Sequence, residues 1–476
     1  MLKTFITTLQ NCFRIPELRE RIYFTLLLLA VCRLIALIPI PGLDGQALVQ
    51  FLEESRGKQG EGGMGLLGMY SMFTGGALES CAIGSLGIMP YISATIILQL
   101  MTAVVPSLAK MVREEGGRAQ IIKYGRYMTV LLCLGQGFVM SLGWEKPEQM
   151  FGSGAPNLVQ DPGLVYRITT MLVLTCGTVL LMWLGEQITE RGIGNGISLV
   201  ISIGIVARFP QAIQSLFEMF FPNLSMSGLF SAEALSVSRA ASKFHIFHGI
   251  ALVLLLLAVI AGVIAVTQAQ RKIPVQYAQR VKGSKVFQGG SSFMPLKVNY
   301  AGVMPIIFAQ AILMFPQKIF EVLGKSLELD FLIRVGDLLQ YGQPMYLVTE
   351  GLMILFFSYF WVATQFNETQ IADDLKKYGG YIPGVRPGSH TSDFLHHTMS
   401  RITLAGALFL VAIAIMPALL MKAGGINFAV AQFFGGTSML ITVGVMLDTM
   451  KQMESHLMMR HYDGFLAKGK IRGRRG

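Results

Sequence analysis

Few side chains in this sequence stand at a spacing that does covalent chemistry. His245 and His248 lie three apart at the head of an apolar run, and His396 and His397 are adjacent in a polar stretch. Both pairs read as interfacial or solvated histidines rather than ligands. Five cysteines (Cys12, Cys32, Cys81, Cys133, Cys176) are scattered, odd in number and without metal-type spacing, which argues against a disulfide framework or a zinc site. There is no G-x-x-x-x-G-K-[ST] loop, no H-E-x-x-H and no G-x-S-x-G. No cofactor is expected and no catalytic residue is assigned. A carrier coupled to protons or ions places several carboxylates inside its spans. Here Glu350 and Asp448 lie near span ends, and only Glu350 approaches a centre. What the apolar runs offer at mid-depth is isoleucine: Ile88, Ile92, Ile197, Ile201, Ile307 and Ile441. The pairs 88/92 and 197/201 are i,i+4 and so share a helix face. Lipid contact and core packing are the ordinary uses of such residues.

The elements that must position them are membrane helices. The chain has 476 residues, 53% hydrophobic and only 14% charged, against roughly 25% charged in soluble chains. Ten apolar segments are expected near 22–40, 79–104, 122–143, 164–184, 195–213, 246–268, 298–319, 345–366, 400–421 and 427–448. The first lacks a small-x-small cleavage site and reads as a retained helix. Residues 1–21 read as an interfacial amphipathic segment, with Leu2, Phe5, Ile6 and Leu9 on one face and Lys3, Arg14, Arg19 and Arg21 adding charge. Ten spans put both termini on one side. The loops on that side hold 27 of the 39 Lys and Arg, and the opposite loops hold 10. The positive-inside rule then sets both termini in the cytoplasm.

Two stretches stand out against this frame. Residues 62–78 are Gly- and Met-rich, uncharged and too broken by Gly to span a bilayer. A neutral segment beside a span can fold back into a membrane cavity, where non-helical backbone is tolerated. The second feature is an echo. GIMPYISATIILQL (87–100) returns as GVMPIIFAQAILMF (302–315), identical at seven of fourteen positions. Chance in apolar sequence is one explanation; G-x-M-P in the same phase favours a repeat. With ten spans the echo is inverted, and such Gly/Pro-interrupted pairs point to a functional midplane site. The expected organisation is 1–21, an N-terminal half at 22–214, an external hinge loop at 215–245, a C-terminal half at 246–448 and a basic tail at 449–476. The cytoplasmic loops 269–297 and 367–399 are long and ordered-looking, which suits docking of a large partner. The tail suits anionic lipid or RNA.

Seven motifs in order carry a family resemblance: IPIPGLDG (38–45), MFTGGAL (72–78), GIMPYISATIILQL (87–100), MWLGEQITERGIGNGIS (182–198), LKVNYAGVMPIIFA (296–309), YIPGVRPG (381–388) and FFGGTSMLI (433–441). The chain resembles the SecY family of protein-conducting channels over nearly its whole length, in its bacterial form. The resemblance implies an all-α polytopic membrane protein, with ten transmembrane helices in two inverted pseudo-symmetric halves around a pore. It implies a constriction ring at Ile88, Ile92, Ile197, Ile201, Ile307 and Ile441, in which Ile92 and Ile307 occupy one column of the echo. It implies a plug over about 62–78, with Gly65, Leu66, Leu67, Met69, Tyr70, Met72 and Phe73. A lateral gate would lie between the spans at 79–104 and 122–143 and those at 298–319 and 345–366. There Gln99 and Gln310 either bridge the closed seam or bond within their own halves.

The implied partners are the small membrane subunits SecE and SecG, the motor ATPase SecA, the ribosome, anionic lipids, and secretory and membrane polypeptides as substrate. The implied location is the bacterial plasma membrane. Docking residues would be Arg271, Lys272, Lys282, Lys285 and Arg386. One departure is Gly283-Ser284-Lys285, where many members have consecutive basic residues. A secondary transporter of a small solute and a pore-free membrane scaffold are the rival readings.

Overall fold

The computed structural model describes residues 15–56, 65–114, 116–147, 154–220, 246–277, 280–282, 285–287, 290–313 and 330–468. Residues 1–14 of the N-terminal segment, 62–64 of the neutral stretch, 221–245 of the external loop, Gly283 and Ser284, and 469–476 of the tail lie outside them. Contacts divide the chain into two compact units, Met1–Pro210 with Val445–Gly476, and Gln211–Gly444.

The first unit opens with α1 (Pro16–Ile35) and α2 (Gly45–Arg56), then the short α3 (Gly65–Thr74), α4 (Met89–Val104), α5 (Pro106–Arg113), α6 (Gly117–Glu145), α7 (Leu164–Arg191) and α8 (Gly196–Ala207). Proline, which has no N–H to lose in a first turn, starts α1, α4 and α5. Asn195 caps α8 by accepting from Ile197 N and Ser198 N at 3.1 and 3.3 Å. α6 and α7 pack along each other. Bidentate ion pairs join them at both ends, Arg126 to Glu186 and Arg167 to Glu145, each with a closest N–O distance of 2.8 Å. Trp144, at the end of α6, is fully buried in a cluster with Leu48 and Leu52 of α2 and Leu174 of α7.

α9 (Phe209–Phe220) leads into the second unit. It continues with α10 (Ile246–Gln268), strands β1 (Gln270–Tyr277), β2 (Arg280–Lys282), β3 (Lys285–Phe287) and β4 (Ser291–Lys297), then α11 (Met304–Leu313), α12 (Asp330–Leu338), α13 (Pro344–Gln365), α14 (Glu368–Lys377), β5 (Gly380–Tyr381), α15 (Ser389–Gly424) and α16 (Phe428–Gly435). α17 (Thr437–Lys468) starts here and ends in the first unit. The sheet order is β4-β1-β5, antiparallel throughout, and β2 pairs with β3.

Six helices among the described residues are long and apolar enough to cross a membrane: Ala119–Glu145, Leu164–Arg191, Gly196–Phe217, His248–Gln268, Pro344–Lys377 and Ser389–Lys422. A seventh passes as a pair, Met89–Thr102 with Pro106–Val112, bent by 96°. The bend falls at Pro106, whose ring disfavours a helical residue before it, and Val105 is extended accordingly. These helices leave large apolar side chains outward, with Leu131 65%, Val165 79% and Leu254 61% exposed. Such faces need a hydrocarbon solvent.

Several element bounds depart from the sequence expectation. α1 begins at Pro16, so residues 16–21 belong to the first helix rather than to a separate interfacial segment. The run expected as helix from 79 is a series of turns until Met89, where Cys81 and Gly87 take positive φ and Pro90 fixes the helix start. A single turn residue, Arg208, interrupts the fifth segment within the span Gly196–Phe217, and the tenth breaks at Gly436. A Cβ on Gly436 would overlap the Pro417 ring, so close approach explains the glycine there.

Candidate functional site

In the first unit, Ile88 is the N-cap of α4 and Ile92 lies one turn on, its N–H donating to Ile88 O at 3.2 Å. Both are 3% exposed. Ile197 and Ile201 lie on α8; Ile201 is buried and Ile197 half-buried. α8 approaches α7 closely, since a Cβ on Gly196 would run into the Gly185 carbonyl. A cavity of about 30 Å³ lies where Ile88, Val200 and Gly204 meet Phe73 and Thr74 of α3. The neutral segment and two of the isoleucine-bearing helices therefore face one space.

α3 is seated by specific bonds. The Tyr70 hydroxyl donates to Leu86 O at 3.1 Å. Ser71 Oγ donates to Glu79 Oε1 at 2.9 Å, and Arg208 Nη2 reaches the same oxygen at 2.9 Å. Met72 is buried and Phe73 half-buried. Gly65, Leu66, Leu67 and Met69 fall on the same short helix. Nothing in the spacing singles out Arg208, because no periodicity links it to Ser71, 137 residues away.

In the second unit, Ile307 on α11 and Ile441 on α17 are buried, 2% and 1% exposed. Gln310 Nε2 donates to Glu350 Oε1 at 3.1 Å, so the Gln310 amide bonds within its own unit. Glu350 is fully buried, and among the described residues its Oε2 and the Gln310 Oε1 have no hydrogen-bond partner. Phe308 packs edge-on against Phe357 and Trp361 of α13. Gln99 is half-buried on α4.

The two long loops fold together. β1 carries Arg271 and Lys272, both exposed, opposite Leu296 and Pro295 of β4. Lys282 and Lys285 are register partners across β2 and β3. β5 pairs with β1 through Gln276 and Tyr381, joining one loop to the other. Ile273, Val275, Leu296, Ile382, Leu395 and Met399 bury the inner faces. Arg386 is exposed on the turn beyond Ile382, with its carbonyl accepting from Thr391 Oγ1 at 2.9 Å. Gly384 and Gly388 flank it at φ +84° and +105°. Among the described residues no three His, Cys, Asp or Glu side chains are grouped to hold a metal.

Comparison with known proteins gives the family and the fold. The SecY family model matches residues 82–450. The protein translocase subunit SecY of Thermotoga maritima is 42% identical over 98% of this chain and 99% of its own length. That of Chlamydia muridarum is 40% identical over 99% and 100%, and that of Escherichia coli K12 is 40% identical over 96% of each. Among solved structures, a protein-conducting channel matches with a TM-score of 0.56 at 17% identity, over 92% of each chain. A SecY channel solved to examine how its plug domain stabilises the closed state matches at 0.55 and 18%, again over 92% of each. The chain belongs to the SecY family, and it is an all-α polytopic membrane protein that acts as the channel subunit of a protein translocase.

Proposed function

We propose that this channel passes unfolded secretory polypeptides across the bacterial plasma membrane and releases hydrophobic segments sideways into the bilayer. Ten spans place both termini in the cytoplasm. The ring is Ile88, Ile92, Ile197, Ile201, Ile307 and Ile441. An empty ring of branched apolar side chains dewets and bars ions, yet makes no specific hydrogen bond to a passing chain. The segment Gly65–Thr74 is the plug. Gln99 and Gln310 mark the lateral gate, where a hydrophobic segment prefers lipid by ~25 cal/mol per Å² of apolar surface.

The observation that carries this reading is the seating of the neutral helix Gly65–Thr74 against the same cavity as Ile88 and α8. The sequence carries no G-x-x-x-x-G-K-[ST] loop, and on this reading the push comes from a partner: the motor ATPase SecA or a translating ribosome. Arg271, Lys272, Lys282, Lys285 and Arg386 form the docking face, SecE and SecG complete the complex, and anionic lipid meets the basic tail. A solved Sec61 channel in a canine ribosome–channel complex has a similar fold, with a TM-score of 0.55.

The test is a photo-crosslinker at Ile92 with a secretory chain stalled in transit. A crosslink to that chain is expected. Its absence, while the same complex translocates, would remove Ile92 from the pore.

A further inference from the structure

Two arginines hold the turn that ends the short helix, and neither the ring nor the docking face accounts for them. Arg208 is the C-cap of α8, the helix that carries Ile197 and Ile201. Its Nη2 pairs with Glu79 Oε1 at 2.9 Å and also bonds Ser71 Oγ, while Ser71 donates to the same Glu79 oxygen. Arg33, in the last turn of α1, donates from Nη2 to Gly75 O at 3.1 Å. The side chains of Arg208 and Glu79 are only 12% and 18% exposed. Between them Gly75 and Gly76 take φ +65° and +94°. A Cβ on Gly75 would overlap the Arg33 guanidinium, and one on Gly76 would lie 3.2 Å from Arg208 Nη2. The turn is therefore shaped to admit both guanidinium groups.

We infer that Arg208, with Arg33 beside it, is a latch that holds the plug closed through Glu79 and Ser71. The inference rests on reading Gly65–Thr74 as the plug, and it makes both arginines positioning residues for the sealed channel. The physics discriminates between the two states. In the closed arrangement the pair is largely withdrawn from water, so removing one partner strands the other charge. When the plug leaves, the same groups are hydrated, and an exposed pair contributes little. Loss of either partner thus weakens the closed state more than the open one. Arg208 at the C-terminal end of α8 also faces that helix's negative pole, which favours a cationic side chain at this position.

The test is ion leak of the complete membrane complex in planar bilayers, without substrate. Glu79→Gln is isosteric and removes one charge; Arg208→Gln removes the other; Arg208→Lys keeps it. Each Gln variant is expected to raise leak about tenfold, as a shift of about 1.4 kcal/mol in the closed–open balance would. Arg208→Lys should stay within about threefold of the parent, and the double Gln variant should leak no more than the worse single, since the two residues act as a unit. A merely structural role would lower the thermal midpoint and leave the leak unchanged. If Arg208→Gln fails to fold, Glu79→Gln decides alone. Unchanged leak in the Gln variants, with high leak after deletion of residues 65–73, overturns the latch and leaves the plug standing. A tight seal after that deletion overturns the plug reading and the latch with it.

Discussion

Ile92→Asn separates a pore-lining isoleucine from one that only packs. Ile92 is 3% exposed in the first turn of α4. If it is core, the substitution loses about 1.5–3 kcal/mol of apolar burial. It also buries an amide without partners, at a further cost of about 1–3 kcal/mol. The channel would then be markedly less stable and still ion-tight, because no water path has been made. If Ile92 lines the constriction, the amide lies where water can enter and satisfy it. The stability loss then stays under about 2 kcal/mol, since the polar penalty is relieved. The apolar gate meanwhile admits water, and closed-state conductance rises. Selectivity for signal sequences should loosen too, because a polar ring favours the open state. The assay is single-channel recording alongside thermal unfolding of the same preparation. A strongly destabilised, ion-tight Ile92→Asn channel would refute the pore assignment.

Three further outcomes are expected. Arg386→Glu should block motor-driven translocation while the channel stays folded, because the planar fork of Arg on that anchored turn is lost; normal translocation in a vesicle assay would contradict this. Deleting residues 65–73 should raise ion leak while translocation persists, and unchanged conductance in planar bilayers would count against a plug there. Gln310→Leu should destabilise the second unit by about 1.5–3 kcal/mol, since it removes the donor to the fully buried Glu350. Chemical denaturation of the detergent-solubilised protein measures this, and a neutral result would mean that Glu350 finds another partner.

The helices were largely legible in the sequence because their apolar content is what membranes demand. The sixth segment, expected at 246–268, is helical over Ile246–Gln268. Their ends were less so. Gly87 looks like a small apolar residue in a hydropathy window, yet its positive φ lies directly before the start of α4 at Met89. The strands at 270–297 lie in a loop whose basic charges obscured the alternating burial of Ile273 and Val275. The turn at Arg386 could be read from Pro and Gly. The bond of Gln310 to Glu350 settles where that amide points, which spacing alone left open. Arg208 and Glu79 could not be paired from the sequence, because ion pairs between distant segments follow from tertiary approach, which leaves no periodic trace.

The two bidentate pairs between α6 and α7 make that hairpin a stiff lever. Sliding one helix along the other by a single residue, about 1.5 Å, would misalign the guanidinium–carboxylate forks at both ends together. The two helices can tilt as one piece far more readily than they can shear. α8 is geared to the lever, because Gly196 meets the Gly185 backbone with no room for a side chain between them. A sideways push on α6 is therefore expected to reach the helix bearing Ile197 and Ile201 through α7 and the close Gly185–Gly196 contact.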